Sequence, residues 1–263
     1  MNATPHEAPA ASPRLVSLFT RYGTRYLARH FHAVRLARSP LQCLDTAALR
    51  DRPLIVYLNH PSWWDPMICF QLAHRLFPER THYAPMEAAA LGRYSFFSRL
   101  GLFGIEPGTV RGARRFLAVS RQLLARPRTA LWVTAGGRFA DPREKPVRLR
   151  AGLGHLLAGL SEAVVLPLAL EYPFWEERLP EALARFGDPI DRSEAGETAT
   201  DPDAWTRLLE TRLEAAQDAL AADALARDPE RFETLIGGQT GVGGVYDIWR
   251  RAKARMRGQE VEI

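Results

Sequence analysis

Cysteine and long apolar runs are scarce in this 263-residue chain. Cys43 and Cys69 are its only cysteines, too few for the disulfide network of a small secreted protein, so a reducing cytosolic setting is expected. The longest apolar run covers residues 163–170 and is far shorter than the roughly 18 residues that span a bilayer. Residues 1–13 are polar and proline-rich, without the apolar segment of a signal peptide, and we expect a disordered tail there.

Acidic residues are absent from residues 14–44, although the whole chain has 30 of them against 35 basic residues. Apolar side chains at positions 15, 18, 19, 22 and 26 form one stripe of a helix, with arginines beside them. Such a helix suits the surface of an anionic membrane, and it equally suits packing against the protein with a solvated basic face. A second basic and aromatic segment, residues 245–257, favours a peripheral protein on the cytoplasmic face of a membrane.

Motifs for nucleic acids, metals and nucleotides are also missing. The arginines do not follow a helix-turn-helix, zinc-finger or aromatic RNA-binding pattern, so a nucleic-acid partner is not expected. No paired-cysteine or H-E-x-x-H signature occurs, and neither a P-loop nor a G-x-G-x-x-G turn is present. We therefore expect no metal ion and no resident cofactor. The oligomeric state is not predicted by any feature of the sequence.

Strand and helix patterns alternate along the chain. They predict an α/β fold of one domain, with a central, mostly parallel sheet flanked by helices and an N-terminal amphipathic helix. The predicted strands are 32–37, 54–58, 81–84, 103–105, 129–134 and 164–170, and Pro85 is expected to end the third. One predicted helix begins near Asp65, and three others cover 110–125, 153–160 and 201–227. The predicted divisions are a tail over 1–13, the domain over 14–235, and a glycine-rich hinge with a basic segment over 236–263.

His60 and Asp65 follow the apolar strand 54–58. On a continuous helix, a spacing of five residues would hold the two side chains roughly 140° apart. Pro61 and Pro66 favour a turn followed by a new helix, and in that arrangement the two side chains can meet. A histidine held by a carboxylate can act as a general base near neutral pH. The alternative is that Asp65 serves only as the N-cap of the helix.

A second chemical signal is the loop Gly136-Gly137-Arg138, which follows the predicted strand 129–134. Ligands collect at the carboxyl ends of strands in α/β folds. Two glycines let backbone N–H groups approach an anion closely, and an arginine matches the geometry of phosphate. The loop is therefore a candidate phosphate site, or else a glycine turn beside a solvated basic segment.

Taken in order along residues 54–170, several short blocks resemble those of the glycerophosphate and lysophospholipid acyltransferases, typified by 1-acylglycerol-3-phosphate acyltransferases. Residues 59–65 are similar to the NHxxxxD block of that family. Residues 133–138 are similar to its FPEGTR block, and residues 165–168 are similar to its final strand with a proline. The order of these blocks is more specific than any one of them.

The resemblance implies a role for each block. His60 would be the general base and Asp65 would orient it. The second and third blocks of the family contact the acceptor phosphate, and the matching residues here are Arg111, Gly136, Gly137 and Arg138. The chain departs from the family in its third block, where Ala135 or Gly136 replaces a glutamate, and in its second block, where the first arginine is delayed to Arg111.

The function that this resemblance implies is acyl transfer to a hydroxyl of a lysophospholipid or related lipid. The donor would be acyl-CoA or acyl carrier protein, which is a co-substrate and not a cofactor. The departures leave the acceptor open, and a glycolipid or a hydroxylated lipid is also compatible. Two alternatives are a catalytically weak lipid-binding protein of the membrane surface and a thioester hydrolase.

Overall fold

The computed structural model describes residues 8–38, 48–192, 196–239 and 241. Within these residues the strands are β1 (Ala33–Ala37), β2 (Leu54–Leu58), β3 (Thr81–Glu87), β4 (Leu102–Ile105), β5 (Thr129–Thr134), β6 (Val164–Glu171), β7 (Glu181–Phe186), β8 (Ile190–Asp191) and β9 (Phe232–Gly237). The α-helices are α1 (Pro13–His30), α2 (Ala48–Asp51), α3 (Asp65–Leu76), α4 (Ala88–Arg93), α5 (Val110–Leu124), α6 (Gly152–Ala158) and α7 (Pro202–Ala226). Short 3₁₀ helices cover Ser95–Leu100, Gly196–Thr200 and Pro229–Arg231.

All the described strands form one sheet in the order β4-β3-β5-β2-β6-β7-β1-β9, with β8 beside β6. The strands from β4 to β6 in that order are parallel, so their carboxyl ends share one edge of the sheet. Leu58 of β2 lies opposite Thr134 of β5 on one side and Leu168 of β6 on the other. This register places the loops that follow β2, β5 and β6 side by side. The predicted α/β fold with a mostly parallel sheet is confirmed.

The sheet is buried on both faces, as a central parallel sheet should be. Val56 and Leu58 pack into the core under α1 and α3, while Ile55 and Tyr57 pack into the core under α5, α6 and α7. All four side chains are at most 1% exposed. Because β2 is packed on both faces, the start of the loop that follows it is fixed in position.

Pro85 does not end its strand as expected, because β3 continues to Glu87. β3 pairs with β5 as far as Tyr83 and with β4 from Ala84 onward. The Ala84 N–H donates to the Gly101 carbonyl on the β4 side, at 3.4 Å. The nitrogen of the next residue faces the opposite side, where the pairing with β5 has already ended. Proline therefore loses no ladder hydrogen bond at this position.

The strands β7, β8 and β9 have no counterpart among the predicted strands. β7 carries charged residues, which argue against a buried strand when read in isolation. In the sheet, however, Glu181 of β7 accepts a hydrogen bond from Arg35 Nε of β1 at 2.8 Å, and both side chains are buried. Each charge compensates the other, and the pairing partner lies 146 residues away.

The buried residues of the N-terminal helix α1 are Gly23 and Leu27, which lie outside the apolar stripe that the sequence predicted. Gly23 lies against α3, where an added Cβ would come within 2.5 Å of Gln71 Nε2, and Leu27 is fully buried. Leu18 and Tyr22 remain 65% and 53% exposed. One side of α1 is thus a packing surface, while another presents large apolar side chains to solvent.

The chain ends of the predicted domain can be described in part. Pro13 is the first residue of α1, and β9 continues two residues past the predicted boundary at 235, because Ile236 pairs with Val34 of β1. Residues 1–7 and 242–263, and with them the predicted basic segment 245–257, lie outside the described residues, as does Cys43. No helix in the described part of the chain combines the length and the apolar character that crossing a bilayer requires.

Candidate active site

His60 and Asp65 meet at the carboxyl end of β2. His60 Nδ1 lies 2.6 Å from Asp65 Oδ2. The turn between them is closed by the Asp65 N–H, which donates to the Ser62 carbonyl at 3.2 Å, and α3 begins at Asp65 with Pro66 in its first turn. The alternative role of Asp65 as an N-cap is not observed, since Trp64 precedes the helix and the Asp65 side chain points to His60.

Asp65 is completely buried and receives three hydrogen bonds. Besides His60, the Ser62 N–H donates to Oδ2 at 3.2 Å and the Tyr172 hydroxyl donates to Oδ1 at 2.6 Å. Burial, and then the neighbouring Asp65 charge, raise the pKa of Tyr172 well above its usual value, so the phenol remains a donor. Three donors suit a carboxylate, which has acceptor sites for all of them.

The backbone around the pair is fixed from the neighbouring strand. Asn59 Nδ2 donates to the Leu170 carbonyl at 3.0 Å, and its Oδ1 accepts from the Leu170 N–H at 2.9 Å. The side chain of Asn59 thereby joins the end of β2 to the end of β6. Tyr172 follows β6 by one residue, so the same strand end holds both the loop that carries His60 and the carboxylate that orients it.

The glycine-arginine loop lies directly beside this pair. The Ala140 N–H donates to the His60 carbonyl at 3.0 Å, which fastens the loop after β5 to the loop after β2. Gly137 has φ +64° and its N–H donates to the Thr134 carbonyl at 3.1 Å. An added Cβ at Gly137 would lie 2.4 Å from Arg150 Nε, whereas one at Gly136 would meet nothing nearer than 3.7 Å. The position that requires glycine is therefore 137.

The predicted phosphate-contacting arginines are less closely grouped. Arg138 is exposed and pairs with Glu144 of its own loop, and this contact raises the pKa of Arg138 further. The side chain of Arg111, in the first turn of α5, is 82% exposed and lies 3.7 Å from Glu106. Arg150, which packs on Gly137, has no carboxylate partner among the described residues. The structure thus brings His60, Asp65 and the loop together but places Arg111 elsewhere on the same edge.

Comparison with protein-family models and with curated proteins found no match. Among solved structures, the chain is similar to the crystal structure of PlsC, the 1-acyl-sn-glycerophosphate (LPA) acyltransferase from Thermotoga maritima. The similarity has a TM-score of 0.52 and 14% sequence identity, and it covers 79% of this chain and 80% of that one. The chain has the fold of an acyltransferase. The resemblance seen in the sequence is confirmed at the level of the fold.

Two aromatic side chains at the site had no signal in the sequence motifs. Phe139 stacks on the His60 ring, with centroids 4.1 Å apart and planes inclined by 29°. Tyr172 follows the predicted strand 164–170 by two residues, so its location at this edge is predictable. A tyrosine alone, however, does not predict a role at the site. Of the two adjacent tryptophans, Trp64 packs against Phe31, whereas Trp63 is 74% exposed.

A cavity of about 800 Å³ opens at the same edge near β4. Gly104, Glu106 and Arg111 contribute to its wall, together with Arg114 and Arg115, and His60 is not among its lining residues. β4 is three strands from β2 in the sheet, roughly 14 Å at the usual strand spacing. The edge therefore has two regions, the buried histidine pair at β2 and an arginine-lined cavity at β4.

Other reactive groups near Asp65 do not suit catalysis. Cys69 lies one turn further along α3, and burial, followed by the Asp65 charge, raises the pKa of its thiol well above the usual value. A buried protonated thiol is a poor nucleophile. Within the described residues, no group of three or more histidine, cysteine, aspartate or glutamate side chains is arranged to hold a metal ion.

Proposed function

We propose that the protein is an O-acyltransferase that moves a fatty acyl group from acyl-CoA or acyl carrier protein to a hydroxyl of a lysophospholipid or related lipid. The observation that carries the proposal is the 2.6 Å contact of His60 Nδ1 with the buried Asp65 carboxylate. The pair lies at the carboxyl end of a strand in a fold shared with a 1-acyl-sn-glycerophosphate acyltransferase. Ligands of such folds collect at this edge.

The chemistry follows from the hydrogen bonds of the pair. An ionised Asp65 accepts a hydrogen bond from the Nδ1–H of His60, and this leaves the lone pair of Nε2 free to act as a base. Nε2 removes the proton of the acceptor hydroxyl as its oxygen attacks the thioester carbonyl, and the imidazolium then protonates the departing thiolate. Asp65 holds the tautomer and stabilises the imidazolium. General-base catalysis of this kind is worth about 10²–10⁴ in rate.

The acceptor is proposed to carry an anionic group that contacts arginines at the edge. Arg150 is well placed for this contact, since its guanidinium packs on the Gly137 turn and lacks a carboxylate partner in the described part of the chain. Arg138 is already paired with Glu144. The glutamate of the resembled block is absent here, replaced by Ala135 or Gly136. Lysophosphatidic acid is one acceptor among several.

A membrane surface is the proposed location of the reaction, at the cytoplasmic face. Leu18 and Tyr22 of α1 are exposed, as is Phe96 of the 3₁₀ helix that contacts α1, and Phe19 contacts Phe96 at 6.3 Å between ring centroids. Neither residues 14–38 nor residues 88–105 contain a carboxylate. Exposed apolar side chains among unopposed arginines suit anionic headgroups and the adjoining acyl chains.

An acceptor screen tests the proposal. Purified protein would be incubated with palmitoyl-CoA or palmitoyl carrier protein and with lysophospholipids of different headgroups or a monoacylglycerol in anionic vesicles. Mass spectrometry would identify the ester product and any free fatty acid. We expect ester formation with at least one acceptor, and its loss in His60→Ala.

The outcomes separate the alternatives. Thioester consumption without any dependence on the acceptor would identify a hydrolase. Binding to vesicles without consumption of either thioester would identify a lipid-binding protein. Both results would overturn the proposed transfer.

A further inference from the structure

Phe139 is the aromatic side chain that stands on the His60 imidazole. It follows the Gly136–Arg138 loop and lies just outside the block that resembles acyltransferases. With Phe139 on one face of the ring and Asp65 on Nδ1, only 18% of the His60 side chain stays exposed. The histidine is therefore presented to a substrate along a restricted path.

The segment that carries Phe139 is fastened at several points. The Ala140 N–H donates to the His60 carbonyl at 3.0 Å, so the two backbones are joined next to the stacked rings. Two residues further, the Pro142 carbonyl accepts a hydrogen bond from Gln217 Nε2 of α7 at 3.0 Å. The position of the phenyl ring over the imidazole is thus set by the backbone that directly follows Phe139.

Phe139 is also largely exposed, with 57% of its surface open to solvent. Full burial of such a side chain is worth about 1.5–3 kcal/mol, so an exposed phenylalanine beside a reactive group is suited to contact an apolar substrate. Trp63, three residues after His60, is 74% exposed. Phe139 therefore places solvent-exposed apolar surface directly against the imidazole.

We infer that Phe139 is a positioning residue that favours acyl transfer to an alcohol over hydrolysis of the thioester. The inference rests on the proposed function. In both reactions His60 Nε2 takes the proton of an O–H group, a C–O bond forms at the carbonyl, the C–S bond breaks and the thiolate takes the proton back. The products differ only in being an ester or a free fatty acid. Phe139 shields one face of the imidazole from water, and the exposed face of the phenyl ring contacts the acyl chain.

The partition between the two products tests this role. Phe139→Ala, Phe139→Tyr and the wild type would be compared with palmitoyl-CoA and an accepted lysolipid, and ester and free fatty acid would be measured together. In Phe139→Ala we expect the ratio of hydrolysis to transfer to rise about tenfold, equivalent to roughly 1.4 kcal/mol between the two barriers. Phe139→Tyr keeps the ring and should keep the ratio. Leu225→Ala, which truncates an 83% exposed residue in the last turn of α7, is the matched control.

A second measurement does not need turnover. Diethyl pyrocarbonate modifies accessible imidazole, and peptide mass spectrometry reports its rate at His60. We expect faster modification in Phe139→Ala than in the wild type or in Phe139→Tyr. An unchanged modification rate, or an unchanged product ratio in a folded Phe139→Ala protein, would overturn the inference. Faster modification in a protein that forms no ester would support the shielding while contradicting the proposed transfer.

Discussion

The His60–Asp65 pair and the Gly136–Arg138 loop follow neighbouring strands of one sheet, yet they differ in almost every physical respect. The Asp65 carboxylate is fully buried and receives donors from three residues. Arg138 is exposed, and its partner Glu144 lies on the same loop. Exposed ion pairs contribute little free energy and are screened by salt. The difference indicates that the geometry of the histidine pair is set in advance, whereas the loop beside it is open to variation.

The comparison separates chemistry from recognition. A base that must act in a defined direction needs its tautomer and its ring plane fixed, which requires buried and fully bonded partners. A surface that selects the headgroup of a lipid needs accessible charge. The departures from the resembled family fall at Ala135 or Gly136 and at Arg111, and the histidine pair is retained.

Asp65→Asn should have the largest effect of the substitutions that compare these two regions. A carboxylate accepts hydrogen bonds at both oxygens, whereas the amide of asparagine has only one oxygen and a donating N–H₂ group. His60 then loses the partner that fixes its tautomer. We expect the rate of acyl transfer to fall about 10³-fold, within the range of general-base contributions. Steady-state kinetics would measure kcat for both proteins.

Asp141→Asn is the matched control for Asp65→Asn. Asp141 is exposed and pairs with Arg143 on the open loop, where the contact with Arg143 holds the pKa of its carboxyl well below the usual range. We expect little change in kcat. An equal loss in both variants would remove the distinction between the two regions.

Gly137→Ala should be intermediate, with an effect on the fold of the loop. Alanine at φ +64° is strained by roughly 1–2 kcal/mol, and its Cβ would displace the Arg150 side chain. We expect a lower free energy of unfolding in urea and a higher KM for the acceptor. Gly136→Ala has room for its Cβ and should leave both quantities close to the wild type. The reverse order of the two glycines would show that the turn is assigned to the wrong position.

His74→Phe should have the smallest effect, and it guards against a misreading of pH profiles. Burial lowers the pKa of His74 to about 4, and its Nε2 has no hydrogen-bond partner among the described residues. The unfolded chain binds the proton more readily, so the free energy of unfolding should decrease as pH falls from about 6.5 towards about 4. Phenylalanine removes this contribution, and we expect a smaller decrease between pH 7 and pH 4.5 in urea titrations.

A remaining decrease in His74→Phe is expected from His82, whose pKa burial lowers to about 3. If His74→Phe and the wild type lose stability in parallel over this range, His74 does not titrate as described. Changes in activity within the stable pH range then do not arise from loss of the folded protein.

The histidine pair was predictable because its determinants are local. Six consecutive residues contain the histidine, the carboxylate and the first proline of the turn, and the apolar strand precedes them directly. Tyr172 and Asn59, by contrast, act across more than 100 residues through the pairing of β2 with β6. The stacking of Phe139 depends on the path of the loop after β5, which no periodic pattern describes.

The fold was predictable where apolar strands are continuous and unpredictable where charges compensate each other at a distance. β2, β5 and β6 have nearly unbroken apolar sequences and were found with accurate limits. β7 was not found because Glu181 is stable in the sheet only beside Arg35. Whether Pro85 ends its strand likewise depends on which neighbouring strand stops pairing with β3 first.

The rate of ester formation by His60→Ala, with and without added imidazole, tests the general-base assignment most directly. Substitution leaves a space beside the buried Asp65 carboxylate, and free imidazole can occupy it and take the proton of the acceptor. We predict that the variant folds, binds vesicles like the wild type, loses about 10²–10⁴ of the transfer rate and regains part of it as imidazole is added. A folded His60→Ala protein that transfers acyl groups at the wild-type rate would contradict the assignment.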